Sequence, residues 1–463
     1  MKSRAPMLIL AALSLATAFA WPARAQAHRD TLRFRPYDPA PGSPAEARPE
    51  AHANDSLAAR RAAAAFFDST GHEPLALPSS MVRIDHDRED QWLRAPVGDG
   101  LLAHPDPWNA EHPRHSQDID MVLDYNRVDL LRFGLHYQAQ RPLTMYPRLG
   151  ARIEYATGRQ RVQYGVQIEQ PLLPTARFVF GVSMVRRTDH AELQQVDDSE
   201  NSLALLLART DYRDYWEREG GGVYLSWRVP DFSTVSVHAR RDEYRTLPRA
   251  SHVTSWFNKD RTLRANPAID DGESHSMLVR LERLAHKDHA THAGLYHWME
   301  FDRTGGELGG DFGYMRGLAD LRSVLRLSPA TSLSIRGVAG TTLEGTLPRQ
   351  KRFALGGVDG LRAHAMGDLE GSQIAMAQAE YTLGLWALRG QGFEAGLHAI
   401  AFVDVGAAWD NPRGRWDVDK QRFNADGGFG VATSEDDIRL YVARDLADPG
   451  SPLVWSLRMQ RPF

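Results

Sequence analysis

The chain has 463 residues, no cysteine and a formal net charge of −4 at pH 7, with 25% charged and 42% hydrophobic residues. The lack of cysteine excludes disulfides, thiol catalysis and cysteine metal sites, and the acidic balance argues against binding of nucleic acid. The one long apolar run is at the N-terminus, which excludes a bundle of membrane-spanning helices.

The first 25 residues have the pattern of a secretory signal peptide. Lys2 and Arg4 precede an apolar stretch, 6–20, and a small-x-small cleavage site follows at Ala23-Arg24-Ala25. The apolar stretch is too short to cross a bilayer and has the layout of an export signal. We therefore predict a Sec-exported protein of a Gram-negative cell envelope, with residues 1–25 removed. A second small-x-small site, Ala25-Gln26-Ala27, would place the cut two residues later.

Residues 26–117 are rich in proline, alanine and histidine and lack a clear period, except for helical spacing at 56–68. Two interpretations stay open for this region: a loosely ordered tail, or a plug or periplasmic arm. Asp85, His86 and Asp87 could contact a metal ion. We favour an exposed polar linker for them.

From residue 118 to the end, apolar and polar residues alternate, as in Leu131, Phe133 and Leu135 against Arg132 and His136. Because successive side chains of a strand point to opposite faces, this period of two predicts strands. Sixteen segments are predicted: 119–125, 131–139, 149–155, 162–168, 178–184, 221–229, 233–241, 275–284, 292–302, 314–327, 331–341, 372–383, 393–405, 424–432, 436–443 and 452–463. One stretch, 201–217, has helical spacing instead.

Alternating strands suit either a soluble sandwich or a transmembrane barrel. The connections at one predicted end are long, as at 188–220, 242–274 and 342–371, while those at the other end, such as 172–176 and 229–232, are short. Long outer loops, short inner turns and an even number of strands are typical of outer-membrane barrels. We predict an all-β fold, a sixteen-stranded antiparallel transmembrane β-barrel, over residues 118–463.

Three sequence features occur in order along this part of the chain. The loop 342–371 contains Phe353-Ala354-Leu355-Gly356-Gly357 and then Leu361-Arg362-Ala363-His364; the next features are Phe402-Val403-Asp404-Val405-Gly406 and the terminal Phe463. Together they resemble the BamA-like outer-membrane assembly-factor superfamily, also called the bacterial surface antigen family. Ala363 and His364 stand where that family has a glycine and an aromatic residue. The family's tandem periplasmic polypeptide-transport domains have no visible counterpart.

The resemblance implies that loop 342–371 folds back into the barrel. It also implies that Arg362 forms an ion pair with Asp404 in the lumen, with Glu380 as a second acceptor, because an unpaired buried charge is costly. The alternative is that Arg362 is a solvated loop residue. Phe463 would belong to the terminal signal that the barrel-assembly machinery reads.

The function that the resemblance implies is insertion or translocation of polypeptide, or of lipid, at the outer membrane. A seam between the first and last strands would open, and a substrate strand would pair with the exposed edge. The expected partners are outer-membrane lipid, unfolded outer-membrane or secreted polypeptide, and the barrel-assembly machinery. A passive channel or a structural barrel is the alternative.

Enzymatic and metal sites are not predicted. The sequence has no Gly-x-Ser-x-Gly elbow, phosphate loop or His-Glu-x-x-His motif, so we expect neither an enzyme nor a cofactor. His286, Asp288, His289 and His292 cluster in a predicted turn, but chance clustering among 18 histidines is the interpretation we favour. The segment 211–216 ends the predicted helix and either packs over the barrel rim or contacts a partner.

Overall fold

The structure is a computed structural model, and most of the chain beyond residue 115 is described in it. The described residues are 116–140, 145–173, 177–229, 233–283, 293–328, 330–390, 393–411, 416–433, 438–448 and 450–459. The predicted signal peptide, the region 26–115, Phe463 and both histidine-containing clusters therefore lie outside them. Among the described residues, no helix is both long and apolar enough to cross a membrane.

In the described part of the chain, sixteen strands form one antiparallel sheet in chain order, and two short strands form a separate hairpin. The sheet strands are β1 (Ser116–Asn126), β2 (Leu130–Gln140), β3 (Arg148–Ala156), β4 (Arg161–Pro171), β5 (Phe178–His190), β6 (Tyr215–Val229), β7 (Ser233–Thr246), β8 (Gly272–Glu282), β9 (Gly294–Thr304), β10 (Tyr314–Ser328), β11 (Thr331–Gly345), β14 (Gln373–Gly390), β15 (Phe393–Trp409), β16 (Asn424–Thr433), β17 (Arg439–Asp445) and β18 (Val454–Arg458). The hairpin consists of β12 (Phe353–Leu355) and β13 (Leu369–Gly371). Each of the sixteen predicted segments corresponds to one sheet strand.

The sheet has an apolar outer face and a polar, charged inner face. In β4, Val166 and Ile168 are exposed while Gln167 and Glu169 are buried. The largest fully buried side chains include four arginines, Arg127, Arg148, Arg336 and Arg458. A soluble sandwich would bury its apolar face instead. This inverted pattern is that of a transmembrane barrel, whose lipid-facing and lumen-facing residues alternate, and the predicted fold class is confirmed.

One α-helix, α1 (Asp198–Ala208), lies in the connection between β5 and β6. The Asp197 side chain caps its first turn by accepting a hydrogen bond from the Ser199 N–H, and Arg209, with a φ of 54°, ends it in the left-handed conformation. The predicted helix 201–217 was wrong at both ends, because the chain from Tyr215 onward pairs with β5. The following segment packs inside the rim, where Asp211 is buried.

Several strands extend further than the period of two predicts. β5 reaches His190, β6 begins at Tyr215 and β7 continues to Thr246. The added parts of β5 and β6 have buried or half-buried residues on both faces, so the alternation of apolar and polar residues disappears while the pairing continues. The long connections consequently shorten to 191–214 and 247–271.

Helix α1 brings the two edges of the sheet together. The Ser202 hydroxyl donates to the Asp124 carboxylate of β1 over 2.6 Å, and Glu200 accepts from the Arg458 guanidinium of β18 over 2.6 Å. Glu200 and Ser202 are two positions apart on one helix, so β1 and β18 lie close to each other. The sheet therefore curves round on itself, with α1 spanning the seam between its first and last strands.

We expect the outer face to tolerate no charge at mid-strand. Val182 lies between Phe180 and Met184 on the outward face of β5. Val182→Arg should destabilise the folded barrel in lipid by about 2–4 kcal/mol, the cost of a cation at the bilayer midplane. Urea unfolding in vesicles measures it, with Glu307→Arg in an exposed loop as control. Equal stability of the two variants would contradict a lipid-facing position for Val182.

Candidate functional site: the in-folded loop and its ion pairs

The connection between β11 and β14, residues 346–372, folds into the lumen and is called the in-folded loop below. The hairpin β12–β13 forms its stem, and the chain turns at Gly356 and Gly357, with φ angles of 118° and 79°. A Cβ atom at Gly356 would stand 2.1 Å from the Ala365 carbonyl oxygen. Both glycines are therefore required by backbone conformation. Ala363 is not among the residues with positive φ, so this position does not need the glycine of the family motif.

The two apolar residues of the stem fit against glycines of the barrel wall. A Cβ atom at Gly340 of β11 would stand 2.7 Å from the Phe353 ring, and one at Gly406 of β15 would stand 2.7 Å from a Leu355 methyl group. Phe353, Leu355 and Leu361 are buried in a cluster with inward residues of β9, β10, β11 and β14. The missing side chains at Gly340 and Gly406 thus provide the space in which the stem packs.

We expect Gly356→Ala to cost more than Gly367→Ala, although both residues lie in the in-folded loop at positive φ. Gly367 has a φ of 65°, and a Cβ atom added there would meet nothing within 4 Å, so its substitution should cost about 1 kcal/mol from backbone strain alone. Gly356→Ala adds a clash with the backbone and should approach about 3 kcal/mol. Urea unfolding measures the difference. Equal losses would contradict the packed turn.

The tip of the in-folded loop places Arg362 against two carboxylates of the barrel wall. Its Nε lies 3.2 Å from Asp404 Oδ2 on β15, and its Nη1 donates to Glu380 Oε2 on β14 over 3.2 Å. All three side chains are buried. Both contacts predicted for Arg362 are therefore present, and it is not a solvated loop residue. What this ion pair does in the protein stays a prediction.

Aromatic rings complete the surroundings of the Arg362 guanidinium. Its Cζ lies 4.0 Å from the centre of the Phe402 ring and 4.7 Å from that of Tyr441. Rings at such distances attract a cation through their π-faces. Phe402, an apolar residue on the lumen side of β15, therefore contacts the buried cation. Burial acts to lower the pKa of Arg362, but the carboxylates of Asp404 and Glu380 outweigh it and raise that pKa above its usual value.

Glu380 is shared with the next strands. It accepts from Arg439 and from the Tyr441 hydroxyl of β17, the latter over 3.1 Å. Asp404 accepts at 3.2 Å from the Gln378 amide, which also donates to the Gly360 carbonyl of the in-folded loop. The loop tip is consequently joined to β14, β15 and β17 through one connected set of charges.

A second ion pair joins the in-folded loop to the last strand. Arg458 of β18 donates to Asp359 over 2.9 Å as well as to Glu200 of α1. The other Asp359 oxygen accepts from the backbone N–H groups of Gln195 and Val196, at 2.8 and 3.1 Å. Burial raises the pKa of the Glu200 carboxyl against the lowering effect of Arg458. Arg458 thus connects β18, α1 and the in-folded loop.

Sequence reasoning missed Asp359, Arg458 and Glu200, although two of them carried a signal. Asp359 lies inside the glycine-rich motif, and Arg458 is a charged residue at a lumen position of the terminal strand. Glu200 carried no such signal, because it precedes its partner Arg458 by 258 positions in the sequence. Within the described ranges no group of histidines and carboxylates could hold a metal ion.

Comparison with known proteins gives likeness in fold only. No protein-family model matches the chain, and no curated protein matches it. Among solved structures it is similar to BamA from Haemophilus ducreyi lacking POTRA domains 1-3, with 12% identity and a TM-score of 0.48 over 74% of this chain and 69% of that one.

Two further solved structures are similar at the same level. CdiB from Acinetobacter baumannii shares 13% identity, with a TM-score of 0.40 over 74% of this chain and 60% of its own. CdiB from Escherichia coli shares 11%, with a TM-score of 0.41 over 79% and 66% respectively. The chain thus spans less than two thirds of each CdiB chain. Likeness at this identity concerns the fold.

Proposed function

We propose that the protein is an outer-membrane barrel that inserts or translocates polypeptide at a seam between β1 and β18. The observation that supports this best is the set of ion pairs formed by Arg362 and Arg458. These hold the in-folded loop against β14, β15, β17 and β18, the strands that lead to the seam. Such a brace would keep the rest of the barrel in shape while one edge separates.

In the described residues, the last strand has a shorter pairing with its neighbour than the first strand has. β18 is described over five residues, each paired with β17, whereas β1 is paired with β2 over eleven. An exposed strand edge is a template for an incoming strand. The substrate would therefore pair by β-augmentation. Lipid as the transported substrate is the alternative within this proposal.

A passive channel is the second candidate, and single-channel recording distinguishes the two. A steady channel needs a water-filled path, but the in-folded loop packs apolar residues and buried ion pairs across part of the lumen. We expect small, flickering currents from the full chain in a planar bilayer. A large and steady conductance would contradict the proposal and favour the passive channel.

The role itself is tested by depleting the protein in its bacterium. We expect the amounts of particular outer-membrane or secreted proteins to fall in outer-membrane and medium proteomics, with lipid analysis of the same samples. A fall restricted to a lipid would assign lipid as the substrate. Unchanged levels of every other barrel, secreted protein and lipid would contradict both forms of the proposal.

A further inference from the structure

The connection 247–271 carries two neighbouring aromatic residues that face solvent. The exposed fractions are 61% for Trp256 and 63% for Phe257. Such large apolar side chains side by side in a loop are costly to expose and mark an interaction surface. Leu207 of α1 is also exposed and lies next in sequence to the residue that contacts Trp256. We call residues 254–261 the aromatic tip.

The aromatic tip is held in place by hydrogen bonds to ordered elements, and four of them involve Thr254, Ser255 and Trp256. The Thr254 N–H donates to the Tyr125 hydroxyl over 2.8 Å, and that hydroxyl donates to the Thr254 carbonyl over 3.2 Å. The Ser255 hydroxyl donates to the Leu205 carbonyl, and the Trp256 N–H to the Leu206 carbonyl. The position of the tip is therefore set by β1 and α1.

Tyr125 shows on which side of the wall the tip lies. On β1 it shares the register of Ile119, Met121 and Leu123, which point outward and are 69%, 81% and 67% exposed. The aromatic tip is hydrogen-bonded to Tyr125, whose outward side chain continues this row of apolar residues. It therefore lies beside the lipid-facing face of β1, at the end where the long loops begin.

The aromatic tip changes from apolar to charged side chains within a few residues. Lys259 and Arg261 follow the aromatic pair, both are exposed, and a single carboxylate, Asp260, separates them. Aromatic residues with cations alongside are the composition of membrane interfaces, where rings lie at the headgroup level and cations meet lipid phosphates. The charge pattern and the continuity with the apolar row of β1 both favour lipid over a protein partner.

We propose that the aromatic tip is a lipid-binding site at the seam. Trp256 and Phe257 enter the outer leaflet next to β1, and Lys259 contacts the phosphate of an anionic lipid headgroup. This site rests on the geometry of the loop and the fold and does not depend on the proposed function. It would fix lipid beside the outward face of β1.

Site-specific fluorescence tests the proposal, because the chain has no cysteine to compete for a label. Single-cysteine variants of the full chain, folded into phosphatidylethanolamine–phosphatidylglycerol vesicles, carry an environment-sensitive fluorophore. Phe257→Cys probes the tip, Met121→Cys is the lipid-facing reference, and Lys420→Cys in another exposed loop is the aqueous reference. Quenching is measured with nitroxide lipids and with acrylamide in water.

We expect the label at 257 to behave like that at 121, with acrylamide quenching several-fold weaker than at 420. Adding Lys259→Gln, or replacing phosphatidylglycerol by phosphatidylcholine, should reduce nitroxide quenching at 257 and leave 121 unchanged. Inorganic phosphate at constant ionic strength should have no effect. A label at 257 that behaves like 420 would overturn the proposal. Indifference to phosphatidylglycerol would overturn its headgroup contact.

Discussion

Arg362→Ala is expected to destabilise the folded barrel by about 3–5 kcal/mol, the usual result of leaving a buried partner charge uncompensated. Glu380 would keep its contact with Arg439, while Asp404 would keep the Gln378 amide and lose its cation. The in-folded loop would also lose its attachment to β14 and β15. Urea unfolding in detergent measures the stability, and the rate of proteolysis within 356–368 reports on the loop.

Arg352→Ala is the matched control, since Arg352 lies in the same loop and pairs with Asp410 at 3.0 Å where both side chains are partly exposed. Exposed pairs contribute about 0–1 kcal/mol. Arg362→Lys should recover little, because a lysine cannot reach both carboxylates with a planar fork or stack on Phe402. Equal losses for Arg352→Ala and Arg362→Ala would show that the buried ion pair does not hold the loop.

Arg458→Ala is expected to loosen the seam. It leaves two buried carboxylates, Glu200 and Asp359, without the cation that joins them to β18, at a cost on the order of 3–5 kcal/mol. β18 then loses the side-chain ion pairs that join it to α1 and to the in-folded loop. We expect more frequent and larger current fluctuations in a planar bilayer than with the wild-type chain.

The pH dependence of the stability of Arg458→Ala provides a second test. Burial already raises the pKa of Glu200, and loss of Arg458 removes a lowering influence. An acid whose pKa is raised on folding destabilises the folded state as the pH rises through that value. The stability deficit of the variant should therefore be smaller at pH 5 than at pH 8.

Arg444→Ala serves as its control, because Arg444 lies on the neighbouring strand β17 and is exposed on the outward side. It should change neither the current fluctuations nor the pH dependence of unfolding. A wild-type current pattern in Arg458→Ala would contradict the view that this residue restrains the seam. An identical effect of both variants would assign the change to loss of positive charge in general.

The strands were predictable because their physical cause is local. A wall that faces lipid on one side and a polar lumen on the other must alternate at every second residue, so all sixteen strands are visible in the sequence. The prediction failed where both faces are polar or buried, as at 215–222 of β6 and 185–190 of β5. There the strands continue to pair, but their two faces no longer differ in polarity, so the sequence shows no period of two.

The ion pair of Arg362 could be inferred because two motifs resemble a known family pattern. Its physical necessity, however, comes from contacts between distant segments. Leu355 packs at Gly406 and Arg362 reaches Asp404, so the two motifs meet at two points of β15. The space at Gly406 accepts Leu355, and the ring of Phe402 contacts Arg362, only when the in-folded loop packs against the barrel wall.

The sequence by itself determined the strand period, the order of long and short connections and the residues of the in-folded loop, since each depends on neighbours along the chain. Only the tertiary structure decided that Arg458 joins Glu200 to Asp359, and that Tyr125 carries the aromatic tip. Buried charges find partners across the lumen, and those partners are set by the curvature of the sheet. No local sequence pattern predicts that curvature.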